Sequence, residues 1–148
     1  MSTGCDTERL AETIIGRYTE QVELYRGLLS LATEQGARLR RGEPLSAYAA
    51  LCPLKDDMLL AIGRLERELA PLKRRWWAEE VRPEARQRLN AVLDGLLLTI
   101  EAIRAQEERN DRLLLGRGLP AEPVLRQGAF IPGAAAPDAA RGAAGQAG

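Results

Sequence analysis

Apolar residues recur every three or four positions through most of the chain up to residue 118. Nowhere do they alternate with polar residues long enough to suggest a strand. In the first segment the stripe runs Leu10, Ile14, Tyr18, Val22, Tyr25, Leu29, Ala32, Leu39, which gives one apolar face on a long helix. Asp6 is read as its N-cap, with Glu8 favourably placed against the helix dipole. Arg38, Arg40 and Arg41 crowd the last turn, and Gly42 follows as the C′ residue.

A second segment opens near Pro44 and carries Leu51, Met58, Ile62, Leu65, Leu69, Leu72 and Trp76 in one heptad register, interrupted by Lys55. Pro53 either kinks this helix or marks the first turn of a new one after a short lead-in, and the break is the favoured reading. Pro71 leaves the end of the helix open by a turn or more. The third segment starts at Pro83 and Glu84, a proline suited to the first turn and an acid suited to the dipole. Its stripe alternates steps of four and three through Leu89, Leu93, Leu96, Ile100, Ile103, Glu107, Asn110 and Leu114, the pattern of coiled-coil packing. Gly116, Gly118 and Pro120 stop it. The fold expected is all-α, an antiparallel three-helix bundle or an elongated coiled coil, with room for a short extra helix near Leu45.

Residues 1–118 are thus read as one helical domain and 119–148 as a tail rich in Ala, Gly and Pro. The tail's only large apolar side chains are Leu119, Val124, Leu125, Phe130 and Ile131. So few cannot offset a backbone ordering cost of ~1–2 kcal/mol per residue. The tail is expected to be disordered, Ala134–Gly148 above all, with Val124–Ile131 the part able to lie in an apolar groove.

Composition narrows the function. Twenty-one basic and twenty-one acidic residues cancel and are interspersed, so no long-range field draws the chain to nucleic acid. Lys73, Arg74 and Arg75 precede Trp76 and Trp77, but Glu79 and Glu80 follow at once. This reads as a solvated helix end beside a core tryptophan. There is no histidine, and Cys5 and Cys52 lack metal-ligand spacing, so no zinc site, metal or other cofactor is expected. Ser–His and Cys–His nucleophiles lack their base. The glycines Gly16, Gly27, Gly36, Gly63 and Gly95 are isolated rather than gathered into a phosphate loop. The acidic pairs Asp56–Asp57, Glu79–Glu80 and Glu107–Glu108 read as solvated faces. A small helical enzyme using Arg and Glu, such as a chorismate mutase, finds no supporting arrangement. The chain is read as not an enzyme. Nothing resembles a signal peptide or a run of about twenty apolar residues, and a reducing cytoplasm is the expected compartment.

The third segment carries more leucine than one core needs. Leu96, Leu97 and Leu98 span about 200° of helix surface, and Leu113, Leu114 and Leu115 repeat the arrangement. A central third helix packed on both neighbours would absorb part of this surplus. Two neighbours cannot cover all of it, and the remainder reads as a face for a protein partner or a second copy. The candidate contacts are Leu97, Leu98, Ile103, Leu113 and Leu114, with Arg109 and Asn110 at the edge; catalytic, cofactor and metal residues are none. Glu107 and Asn110, polar on an apolar register, either fix a coiled-coil register or stand where the packing has ended.

Three stretches carry a family likeness. Leu24-Tyr25-Arg26-Gly27-Leu28-Leu29 stands ahead of a Gln35–Gly42 helix end. Lys55-Asp56-Asp57-Met58-Leu59-Leu60-Ala61-Ile62 lies in the second segment, and Glu107-Glu108-Arg109-Asn110-Asp111-Arg112-Leu113-Leu114 in the third. Together they resemble the FlgN-type flagellar export chaperones over roughly Leu10 to Arg117. Pro53 and Pro71 depart from that family's uninterrupted second helix. The resemblance implies a cytoplasmic chaperone of the flagellar type III export system that binds hook–filament junction proteins and brings them to the export gate. The client would offer an amphipathic helix, received on the third helix or the tail. The alternative is a coiled-coil scaffold or adaptor unrelated to secretion.

Overall fold

The computed structural model describes residues 2–118, with side chains from residue 4, and they form four helices and no strand. These are α1 (Ser2–Arg40), α2 (Leu45–Ala49), α3 (Cys52–Ala78) and α4 (Pro83–Gly116). The expectations for residues 119–148 lie outside the described residues.

The long helices run up, down and up. Glu8 meets Arg82 and Glu12 meets Arg88 at one end of the α1–α4 pair, while Asn110 reaches the Ala32 carbonyl towards the other. α1 and α4 are therefore parallel. Arg17 faces Glu68 and Gln35 faces Lys55, which makes α3 antiparallel to both. The result is an all-α bundle of three long helices with α2 as the short extra element.

The central helix is α1. It packs on α4 most extensively and on α3 along its other side, while the backbones of α3 and α4 approach each other little. The alternative of a central third helix packed on both neighbours is thereby set aside. Leu10, Ile14, Tyr18, Tyr25, Leu28 and Ala32 sit at the α1 seam, and Leu28 rather than Leu29 holds the buried position. α4 adds Leu89, Leu96, Ile100 and Ile103, and α3 adds Ile62, Leu69 and Trp76.

Boundary chemistry explains most of the ends. Gly42 has φ 75°, the left-handed conformation that closes α1. Pro53 stands in the first turn of α3, where the missing N–H costs nothing, so the break at this proline is real. Pro71 lies inside α3 without ending it. Pro83 opens α4, and Gly118, with φ 79°, follows its end. Asp6 is not a cap, because α1 begins four residues earlier. Those early turns are fastened from outside: the Thr7 hydroxyl donates to Glu79 at 3.3 Å, and Glu8 accepts from Arg82 at 2.8 Å. Among the described residues, no helix is long and apolar enough to cross a membrane.

Candidate protein-binding surface

Beyond Leu28 the interior of the bundle turns polar. Gln35 occupies a seam position of α1, Lys55 one of α3, and Glu107 and Asn110 two of α4. Lys55 Nζ donates to Glu107 Oε1 at 2.8 Å and to Gln35 Oε1 at 2.9 Å. The Gln35 amide nitrogen in turn donates to the Tyr48 carbonyl at 3.1 Å, tying α2 to the network. Asn110 Nδ2 donates to the Ala32 carbonyl at 2.9 Å and its Oδ1 accepts from Gln106. Glu107 and Asn110 therefore do not mark the end of packing; they are packed and paired, as register-fixing residues are. The approach of Asn110 and Gln106 needs Gly36, because a Cβ there would lie 2.5 Å from Asn110 Oδ1 and 2.6 Å from Gln106 Nε2.

A second polar group lies nearer the middle. Lys73 pairs with Glu66 at 3.2 Å and stands 5.8 Å over the Tyr18 ring. Gln21 donates to Glu66 at 3.3 Å. Burial, with the Glu66 charge adding to it, raises the phenol pKa of both Tyr18 and Tyr25. The basic run at the end of α3 is thus divided. Lys73 points inward beside the buried Trp76, while Arg74, Arg75 and Trp77 are exposed.

The candidate partner residues separate into two sets. Leu98 is 67% exposed, Leu97 is 40% exposed, and Arg109 is exposed while donating to Gln106 at 3.0 Å. Leu113 is half-buried against a small cluster of Leu39, Tyr48 and Leu114. Ile103, Asn110 and Leu114 are interior residues. Those three are corrected from surface to core, because they lie on the register that faces α1. Leu98 is two positions beyond Leu96, about 200° around α4, and so looks away from it. What sequence reasoning missed are Gln35, Lys55 and Gly36 as parts of one polar core. Lys55 breaking an apolar register was the signal that could have found it.

A groove of about 1070 Å³ lies between the first turns of α1 and the α3–α4 connection. Ala11, Val81 and Ala85 contribute apolar lining. Arg82 and Arg88, its two basic residues, are both engaged, with Glu8 and Glu12. The Arg88 guanidinium holds the exposed Glu12 carboxyl below the usual range through a hydrogen bond and its charge. Cys5 and Cys52 are not joined in a disulfide, and among the described residues no group of three His, Cys, Asp or Glu is placed to hold a metal ion.

Set against protein-family models, curated proteins and solved structures, the chain matches none of them.

Proposed function

We propose that the chain is a cytoplasmic chaperone of the flagellar type III export system, receiving a helix of a hook–filament junction protein on the outer face of α4. The observation that carries this is Leu98. A leucine at the middle of a 34-residue helix, facing away from the core and 67% exposed, has no folding role that a polar residue would not fill better. Leu97 widens the apolar strip. Together they offer the kind of anchor that an amphipathic helix buries.

The export assignment comes from the resemblance of the three stretches to the FlgN-type chaperones. Its support is that Gln35, Lys55, Glu107 and Asn110, which belong to those stretches, meet in the polar core.

The test is direct binding of purified hook–filament junction proteins to the full chain by calorimetry. The expected result is a complex that Leu98→Asp weakens tenfold or more while the melting temperature stays near that of the parent. No complex with any junction protein would overturn the export reading and favour the scaffold.

A further inference from the structure

The exposed leucines of α4 share an arc with a charge pattern that complements itself. Leu97, Leu98 and Leu115 are all exposed and lie within about 100° of one another around the helix. On that arc Leu98, Glu101, Ala105, Glu108, Arg112 and Leu115 follow in steps of three, four, three, four and three. This is a second heptad seam, distinct from the one that faces α1. All six of its residues are exposed. Among the described residues, Glu101, Arg104, Glu108 and Arg112 make no ion pair within the chain.

The step order reads the same from either end, so an antiparallel copy can meet the seam layer for layer. With Leu98 set against Leu115 of the other copy, Glu101 falls opposite Arg112 and Ala105 opposite Glu108. The half-buried Arg104 comes within one position of Glu108 of the other copy. Leucine layers therefore close both ends, and each seam glutamate meets an arginine. Arg109 is level with Arg104 of the other copy but about 140° away around the helix, on the opposite flank, so these like charges do not meet. Asp94 lies beyond the leucine layer. Parallel copies would instead set Glu101 on Glu101 and Glu108 on Glu108, and antiparallel copies centred on Leu98 would set Asp94 beside Glu101.

We infer that this face docks a second copy of the chain, antiparallel, with Leu98 against Leu115 and Glu101 against Arg112. The seam is only about 26 Å long, and ion pairs at its exposed edge contribute little, so the dimer is reversible. The inference does not rest on the chaperone reading, but both use Leu98, and a client helix seated there displaces the second copy.

The experiment is sedimentation equilibrium of the full chain over a range of concentrations. The expected result is a reversible monomer–dimer equilibrium, weakened by salt and weakened tenfold or more by Leu98→Asp or by Leu115→Asp. The charges fix the register. Glu101→Arg and Arg112→Glu should each weaken the dimer, whereas the double variant Glu101→Arg/Arg112→Glu should restore it, because each exchanged residue again meets an opposite charge in the other copy. Should a leucine variant lose its helical circular dichroism, the charge exchange carries the test alone. A chain that stays monomeric at every concentration overturns the inference, as does a dimer indifferent to Leu98→Asp or a double variant as weak as the single ones. Junction-protein capture separates the two claims. A dimer that captures no junction protein leaves this inference standing and sinks the export reading; capture by a strictly monomeric chain gives the reverse.

Discussion

Lys55 Nζ and Glu107 Oε1 stand 2.8 Å apart across the bundle, and each side chain is only 1% exposed. Each residue is the one charge that breaks the apolar register of its own helix, and the two breaks compensate each other. Gln35 takes a second Lys55 proton at 2.9 Å, so the ammonium does not depend on one partner. A buried ion pair of this kind adds little net stability over a well-packed apolar replacement, but removing one member is severe.

From that follows the first prediction. Lys55→Met should cost about 3–5 kcal/mol in urea unfolding, because it takes the ammonium away from the buried Glu107 carboxylate. The double variant Lys55→Met/Glu107→Leu should recover most of the loss. Equal cost in the single and the double variant would show that the pair is not the coupled unit described.

Two glycines in helix interiors should respond oppositely to alanine. At Gly36 the new methyl meets Asn110 and Gln106, and Asn110 is held by its bond to the Ala32 carbonyl. The expected overpacking cost of about 1–3 kcal/mol outweighs the ~1 kcal/mol gained in helix propensity. At Gly95 nothing lies within 4 Å, so Gly95→Ala should stabilise by up to ~1 kcal/mol. Thermal unfolding of both variants checks the sign of each.

Alkaline pH should unfold the protein through its tyrosines. Burial raises the folded-state pKa of Tyr18 and Tyr25 above their ordinary value. Their contribution is therefore complete below the unfolded pKa of about 10 and falls as pH rises beyond it, since only the unfolded phenols then ionise. Stability measured between about pH 9 and 11.5 should decline, and Tyr18→Phe together with Tyr25→Phe should flatten the slope. An unchanged slope would assign the decline to other groups.

The neighbouring tryptophans should behave as opposites. Trp76 is buried in the main core and Trp77 is 66% exposed. Trp77→Phe should leave blue-shifted emission protected from acrylamide and little change in stability. Trp76→Ala should cost about 3–5 kcal/mol.

Helix existence, the proline and glycine boundaries and most of the seam were legible because period and turn chemistry act locally. The Pro53 break, the Pro83 start and the Gly42 stop are each decided within one turn of chain. Asp6 misled because the start of α1 is set by distant partners, Glu79 and Arg82. The central position of α1 could not be read from the leucine count of α4, since stripe width says nothing of which neighbour covers it. Of the candidate surface, Leu97 and Leu98 were legible as a surplus. Ile103 and Leu114 were misplaced although they stand on the strict register, which is where core leucines and isoleucines belong.

Leu60 on α3 and Leu98 on α4 are equally exposed, each at 67%, and this makes a matched control for the central claim. A photoreactive benzophenone residue is placed at either position, and the full chain is illuminated with a purified junction protein. The account predicts a crosslink from position 98 and little or none from position 60. Equal crosslinking from both positions, or crosslinking from position 60 alone, would contradict the claim that the outer face of α4 receives the client.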